Sequence, residues 1–386
     1  MKKKVLAALL IATFAISVLA GCGQKSSNAE GVKNESGAEV SEEAKALATE
    51  LLTRNVTEDD EITEEVVEAV IAQLKETYEF EELDELRLED DESSLIGDYK
   101  GWYNELFGDS GIKVSVAQGS IAHQLESLES GEINIAWRMW DPVIAYLAQG
   151  ADLTVVNVSE HPLEEISQAI VLKDSGITEF SQLEGKKIST SRTTCSYYTL
   201  NEMAAEEGWE EGKDYEFVNI ADTEAKSALV AGEVDALVMH QSQSVNDLLL
   251  DGSAVVIRNA VSDGIYVNKG GGRHVVYGLT DWVQSHKNVV KGFVKLNQVI
   301  KAYVLQNSEE TSILYEKVSR VPAENSLYWW GCEKNDWYFT EESLESIAAD
   351  SDILLEYSKS IGDSPADADI DFTKVIDPEF FNEGQK

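Results

Sequence analysis

Two short segments carry the polar groups best suited to holding a small molecule. Gln118, Gly119 and Ser120 follow a β-rich run ending at Ala117, and Ser191-Arg192-Thr193-Thr194-Cys195-Ser196 follows another ending at Thr190. Each stands where a strand gives way to a helix. Backbone N–H groups of a first helical turn, with Ser and Thr hydroxyls beside them, suit an anionic or carbonyl oxygen. Arg192 adds a guanidinium to the second segment. Ordinary helix capping by Ser120 and Thr194 is the competing reading. Trp137, Arg138, Trp140 and Asp141 follow a third apolar run. Their spacing lets Trp137 and Trp140 wall a solute while Asp141 accepts a hydrogen bond from an amino group near the aromatic faces. Alternatively, one Trp packs in the core and Asp141 caps a helix beginning at Pro142. His240, after a fourth strand, is placed to bond the same solute or to serve as a structural donor. The candidate binding set is Gln118, Gly119, Ser120, Trp137, Trp140, Asp141, Arg192, Thr193, Thr194, Ser196 and His240.

Catalysis finds less support. No nucleophile, base and orienting group assemble from the sequence, and Cys195 at a helix start is a weak sign of a reactive thiol. The chain has no Gly-x-x-x-x-Gly-Lys-Ser/Thr loop and no Cys-x-x-Cys or His-x-x-x-His spacing, and its five histidines are scattered. The expectation is binding without chemical change, with no cofactor and no metal. Cys195 and Cys332 would pair in an oxidising exterior if the fold brought them together.

The elements that must position these residues alternate in type. Strand-like runs are predicted over 85–89, 112–117, 133–137, 153–158, 167–172, 187–190, 217–220, 236–239 and 255–259. Helical ones are predicted over 98–107, 120–130, 142–149, 195–208, 223–231 and 242–250. Such alternation implies βαβ units and mostly parallel sheets. From Leu279 on, the pattern is mainly helical, and Gly270-Gly271-Gly272 reads as a loop before it. Tyr328-Trp329-Trp330 and Trp337-Tyr338 read as packing between helices. One short pattern recurs: Leu128-Glu129-Ser130-Gly131-Glu132-Ile133 and Val230-Ala231-Gly232-Glu233-Val234 each end a helix at a glycine and enter an apolar run. A glycine there suits a left-handed C-cap, so two similar α/β lobes are implied.

The chain opens differently. Lys2, Lys3 and Lys4 precede an apolar run from Val5 to Leu19, well short of the roughly 20 residues a membrane span needs, closing on Leu19-Ala20-Gly21-Cys22. This reads as a secretory leader over residues 1–21 with a lipobox, so that lipidated Cys22 begins the mature chain. Two or three acyl chains, at about 0.8 kcal/mol per buried methylene, hold a protein on a bilayer where one does not. Residues 22–40 are polar enough to form a flexible tether. Over 41–83 an acidic helical extension follows, with Ser41 as a cap. Its stripe of Ile62, Val66, Val67, Val70, Ile71, Leu74 and Tyr78 needs covering, by the body of the molecule or by a partner. With the leader's lysines removed, 28 basic residues against 71 acidic ones leave −43. That charge argues against nucleic acid and against an electrostatic grip on anionic lipid.

Beyond these features, the chain resembles the substrate-binding proteins of ABC importers in the aliphatic sulfonate, nitrate and taurine family, which extends to binders of thiamine-pyrimidine precursors. The matching text is Gly119-Ser120, Leu-x-Ser-Gly-Glu-Ile-Asn-Ile ending at Ile135, Asp141-Pro142 to Leu153, Asp174-Ser175-Gly176-Ile177, Leu183 to Ile188, Ala231 to Ala236, and Val375-Ile376-Asp377-Pro378-Glu379-Phe380-Phe381. It covers about Leu86 to Asn382, and the extension before Leu83 lies outside the usual pattern. The resemblance implies an α/β, two-lobed, type 2-like periplasmic-binding-protein clamshell, with lobe 1 over 84–173 and 267–386 and lobe 2 over 174–266. Together with the lipobox it is read as a lipid-anchored monomer on the outer face of a bacterial membrane, with the ligand in the cleft between the lobes. Such a protein captures a small organic anion or zwitterion and delivers it to an ABC permease. An aromatic, pyrimidine-like or quaternary-amine solute is the alternative, as is a solute sensor. The family's relatives include a pyrimidine-forming synthase, but its cysteine-rich iron-associated motif is absent here.

Overall fold

The computed structural model describes residues 40–57, 59–91, 93–117, 123–159, 167–192, 194–239, 243–260, 273–332 and 343–380. The leader, Cys22, Gln118, Gly119, Ser120, Thr193, His240 and the Gly270–Gly272 run lie outside them, as does the side chain of Cys332. No helix among the described residues is long and apolar enough to cross a membrane.

Two helices lead. In α1 (Glu42–Leu51) the Ser41 hydroxyl accepts from the Ala44 N–H at 3.2 Å, and Glu42 and Glu43 sit where the helix dipole favours them. In α2 (Glu64–Thr77) Thr63 accepts from the Val66 N–H at 3.3 Å. The stripe from Ile62 to Leu74 is buried, with Tyr78 at its rim. What covers it is the body of the same chain, chiefly the helices α4 and α11 introduced below.

The first sheet is assembled from β1 (Glu85–Glu89), β2 (Lys113–Ala117), β3 (Ala136–Met139), β4 (Leu153–Val158) and a late strand, β10 (His274–Leu279). Helices α3 (Ser93–Lys100), α4 (Trp102–Phe107), α5 (Gln124–Ser130) and α6 (Trp140–Ala148) connect its early strands. β1 pairs with β2 in parallel, β10 lies antiparallel between β3 and β4, and a parallel bridge from Leu88 to Ile135 joins the two parts. The order is therefore β2-β1-β3-β10-β4. The second sheet contains β5 (Gln168–Leu172), β6 (Lys187–Thr190), β7 (Glu216–Asn219), β8 (Ala236–Met239) and β9 (Ala254–Asn259), in the order β7-β6-β8-β5-β9. Helices α7 (Cys195–Glu207), α8 (Asp222–Ala231) and α9 (Gln243–Leu250) connect its strands. Here β5 is the antiparallel member, between β8 and β9. Both sheets thus share one plan, and each takes its antiparallel strand from chain arriving from the other. The recurring glycine pattern marks the same joint in each, with Gly131 and Gly232 capping α5 and α8 at φ 74° and 73°.

The rest is helical, as expected: α10 (Thr280–Ser285), α11 (Lys287–Gln306), α12 (Ser308–Ser319), α13 (Ala323–Cys332), α14 (Leu344–Ser360) and α15 (Phe372–Val375). Four details differ from the sequence reading. β10 was not anticipated, although His274-Val275-Val276-Tyr277 has β-forming residues. β5, assigned with residues 84–173 to the first lobe, belongs to the second sheet. The 98–107 helix is two helices, broken at Gly101 with φ 79°. The 133–137 strand is shifted to Ala136–Met139 because Asn134 and Ile135 bond instead to Arg87 on β1, the Asn134 N–H reaching the Arg87 carbonyl at 2.7 Å. Pro142 then falls inside the first turn of α6, where its missing N–H costs nothing.

The C-terminal segment is fastened to α11 by charge. Glu379 accepts from Lys291 at 2.8 Å and Lys287 at 3.2 Å, and these ammoniums pull its carboxyl down to about 2 from an ordinary 4.5. Because the folded pKa is depressed, the contribution is present above pH 4.5 and fades as pH falls toward 2. Discounted for solvent screening of a partly exposed group, Glu379→Gln is expected to cost about 1–2 kcal/mol at pH 7. Urea unfolding at both pH values checks this, since the difference from wild type should vanish near pH 2.

Candidate functional site

Parallel strands present their carboxyl ends on one edge of a sheet, and in open α/β sheets ligands collect beyond that edge. On the first sheet, this edge carries four buried carboxylates and one buried guanidinium, Arg273, which donates to Asp350 at 3.1 Å and to the Ser159 carbonyl at 3.4 Å. Glu89, Asp90 and Asp91 close β1, Asp141 lies one residue into α6 after β3, and all four are buried. Asp91 is committed to the start of α3: one oxygen accepts from the Ser94 N–H at 2.8 Å and from the hydroxyls of Ser94 and Ser93 at 2.6 and 2.9 Å. The other accepts from Asn297 Nδ2 at 2.7 Å, and Asn297 accepts from Tyr103. Asp90 accepts from the Tyr315 hydroxyl at 3.0 Å. The N-terminus of α3 already holds the chain's own carboxylate.

Trp137 stands beside this edge. Its N–H donates to Glu89 Oε2 at 3.1 Å and its carbonyl accepts from Gln124 Nε2 at 2.9 Å. Gln124 also bonds Glu89 and accepts from the buried Tyr277 hydroxyl at 2.7 Å. The half-buried indole stacks on His274, with centroids 4.6 Å apart and planes 15° from parallel. Its Nε1 is buried without a hydrogen-bond partner.

Trp140 is placed differently. It is 1% exposed, donates from Nε1 to Ser351 Oγ on α14 at 2.8 Å, and meets the Phe372 ring edge-on at 5.8 Å. The aromatic pair read as two walls is therefore split, with Trp140 inside the core. Asp141, fully buried, is near Tyr198 on α7 and Tyr357 on α14. Burial drives both phenols well above their usual range, with Asp363 and Asp141 adding to the effect at Tyr198 and Glu202 and Asp141 at Tyr357. Tyr198 donates to Asp363 at 2.5 Å, and Tyr357 donates to the Tyr198 carbonyl at 3.0 Å. Helix α14 thus joins α6, which follows the first sheet's β3, to α7, which follows the second sheet's β6.

On the second sheet, Arg192 is engaged away from the strand ends. Its guanidinium donates to Tyr197 Oη at 2.5 Å and Glu211 Oε1 at 3.1 Å, and lies over the Tyr197 and Phe217 rings at 4.4 and 4.8 Å. β7, which carries Phe217, is the edge strand, so this cation is held at the flank. Thr194 turns its hydroxyl to the Ser191 carbonyl at 2.8 Å and makes no side-chain cap bond to α7. Ser196 is buried in the first turn of that helix.

Three buried polar side chains on this sheet lie outside the predicted set. Gln168, first in β5, and Asn246, in the first turn of α9, are fully buried, and neither side-chain amide has a hydrogen-bond partner. Ser189 on β6 is likewise buried and unbonded. The signal was available: a glutamine opens the otherwise apolar Ala169-Ile170-Val171-Leu172, and an asparagine interrupts Val245 and Leu248. A surface depression lined by Asp352, Ile353, Glu356, Tyr357 and Ser360 is built from α14 alone and gathers no groups from either sheet.

Among the described residues, the carboxyl edge of the first sheet thus carries buried charged side chains and that of the second buried neutral ones. Residues 93–311 match the NMT1/THI5-like family. No curated protein matches the chain. The aliphatic sulphonate-binding protein SsuA of Escherichia coli is similar in structure at 18% identity, with a TM-score of 0.61 over 72% of this chain and 88% of that one. The alkanesulfonate-binding SsuA of Xanthomonas axonopodis pv. citri, bound to MOPS, is also 18% identical, with a TM-score of 0.64 over 74% of this chain and 96% of that one. The nitrate-binding protein NrtA of Synechocystis PCC 6803 shares 15% identity, with a TM-score of 0.59 over 78% of this chain and 87% of that one. At such identities the likeness shows the fold, which is that of the periplasmic binding proteins.

Proposed function

The chain belongs to the NMT1/THI5-like family, and from that premise we propose that it is the extracytoplasmic receptor of an ABC importer. It is anchored through lipidated Cys22 and captures a small organic solute for a membrane permease. The observation that carries this reading is the pairing of two sheets of identical strand order whose carboxyl edges both bear buried polar side chains. Leu19-Ala20-Gly21-Cys22 supports the anchor.

The proteins of similar fold are named for anions, yet the charges here favour a zwitterion over a simple anion. Arg192 is held by Glu211, Arg273 by Asp350, the start of α3 is filled by Asp91, and Glu89, Asp90 and Asp141 share the first edge. An ammonium end would meet that edge and lessen its self-repulsion, while the anionic end would meet the positive end of the α7 dipole, the Thr194 hydroxyl being already given to the Ser191 carbonyl. The stacked Trp137 and His274 favour a second reading, an aromatic or quaternary-amine solute.

Calorimetric titration of the soluble chain starting at residue 23 tests this. Taurine should bind 1:1, about tenfold or more tighter than an alkanesulfonate of equal length lacking the amine. Tightest binding to nitrate or to the plain alkanesulfonate would overturn the zwitterion reading, and a preference for a quaternary amine would select the second.

A further inference from the structure

We propose that the two sheets are joined by a fixed contact at α7–α14 and a separable one at α9–α13, so that the solute site opens on the α9 side; the role in admitting solute rests on the capture reading above. Two chain crossings, β4 to β5 and β9 to β10, connect the sheets. The C-terminal helices add two further connections. α14 is held to elements of the first sheet by Trp140 of α6, which donates to Ser351 at 2.8 Å, and by Arg273 just before β10, which donates to Asp350 at 3.1 Å. Its other end is held to α7. Tyr357 donates to the Tyr198 carbonyl at 3.0 Å, and the Tyr198 hydroxyl bonds Ser358 at 3.0 Å and donates to Asp363 just beyond α14. α13 sits with the first sheet, because Trp330 meets Tyr315 of α12 edge-on at 5.6 Å and Tyr315 donates to Asp90 after β1. It also packs on α9 of the second.

The two contacts differ in chemistry. Along β8, Ala236 and Val238 point to one face of the second sheet and Leu237 and Met239 to the other. The first face, under α7, shares one apolar core with the first sheet and α14, in which Tyr198, Ala236 and Val238 join Trp140, Leu354 and Leu355. The second face forms a separate cluster with α8 and α9, and that cluster contains no residue of α13. At about 100° per residue around α9, Asn246 is turned away from Val245, which enters the cluster, and equally from Asp247, which bonds Lys226 of α8. The sheet and α8 thus take two sides of α9, and the side of Asn246 is left to α13, the remaining described helix packed on it. Asn246 is fully buried, yet neither its amide nitrogen nor its amide oxygen has a hydrogen-bond partner. Burying such a group opposes the contact that buries it, whereas water satisfies it once the helices part. Parting α7 from α14 would instead expose apolar surface and break the bonds of Tyr198 and Tyr357. Motion of the second sheet is therefore a swing about α7–α14 that separates α9 from α13.

The test measures distances between paired spin labels on the soluble chain from residue 23, attached by a bio-orthogonal reaction that leaves Cys195 unmodified. One pair, at exposed Val230 of α8 and Ile313 of α12, spans the α9–α13 side; the other, at exposed Ala205 of α7 and Ile353 of α14, spans the fixed contact. Without solute, the first pair should show two populations more than about 2 Å apart and the second pair only one. Asn246→Leu should cut the longer population at least about fivefold, and Asn246→Asp, whose charge needs water, should enlarge it, with the second pair unmoved by either. Tyr198→Phe, which removes the hydroxyl's bonds, should broaden the second pair. A first pair that responds to neither Asn246 variant would overturn the separable contact. A second pair that moves with the first, or that ignores Tyr198→Phe, would overturn the fixed one. Taurine added to wild type should collapse the first pair onto its shorter population. If taurine binds by calorimetry and the longer population persists, the link to solute entry is overturned while capture stands. If neither taurine nor the other solutes named above bind, capture fails, and the solute-free distances still decide the two contacts.

Discussion

A chain beginning at residue 84, without α1 and α2, is expected to lose its cooperative unfolding transition. Ile62, Val66, Val67, Val70, Ile71 and Leu74 are all below 5% exposed, and Ala44, Ala48 and Leu51 add a second buried row. At about 1.5–3 kcal/mol for each fully buried aliphatic side chain, the first row alone rivals the roughly 5–15 kcal/mol net stability of a domain. Removal would also uncover what these helices cover, including Leu106 of α4 and the apolar face of α11. Polar ties reinforce the packing: Gln306 accepts from the Ile62 N–H at 2.8 Å and donates to the Asp60 carbonyl at 2.7 Å, and the Tyr303 hydroxyl donates to Glu64 at 3.0 Å. Thermal unfolding by far-UV circular dichroism checks this. A truncated chain melting cooperatively within about 3 °C of the full one would mean that the stripe's packing contributes little and would reopen a docking role for the extension. As the structure stands, α1 and α2 are part of the core.

The sequence carried the periodic parts of this fold well and the long-range parts poorly. β1, β4, β6 and β8 fall on the predicted residues: β4 and β8 are largely apolar runs, β1 alternates apolar and charged residues, and a glycine turn at Gly185 leads into β6. The duplicated glycine joint at Gly131 and Gly232 revealed two similar lobes, since a positive φ at a helix end is a local demand that sequence records directly. What local pattern cannot record is which strand enters which sheet. β5 and β10 exchange partners across the molecule, and nothing within 168–172 or 274–279 says so. The site suffered for the same reason. Arg192 has the right type at the right joint, yet Glu211 and Tyr197, brought close by the fold, claim its guanidinium. Gln168 was hidden by its strand, where a single polar residue drew less notice than a run of hydroxyls. Buried groups left without partners are visible only once packing is known.

Trp140→Ala is expected to be among the most damaging single substitutions, and through stability instead of affinity. The indole is enclosed between α14 and α15, and removing a buried Trp costs about 3–5 kcal/mol, part of it for the cavity left behind. Ser351 would lose the donor that reaches its hydroxyl, although it keeps its own bond to the Ile347 carbonyl at 2.7 Å. α14 also carries Tyr357, which bonds the Tyr198 carbonyl of α7, so loosening it weakens the tie between helices that follow different sheets. Trp137→Ala should behave in the opposite way. Its ring is half-buried and meets His274 on one face, while the bonds to Glu89 and Gln124 come from its backbone and survive the change. A stability loss of about 1 kcal/mol, with solute affinity down about tenfold or more, is the expected result. Urea unfolding and calorimetric titration of both variants separate the two effects. Native stability with lost binding in Trp140→Ala would return that residue to the solute wall, and unchanged affinity in Trp137→Ala would take the wall away from β3 altogether. The physical basis of the contrast is that an indole buried on all sides has no face left to offer a solute, whereas one stacked on a single ring does.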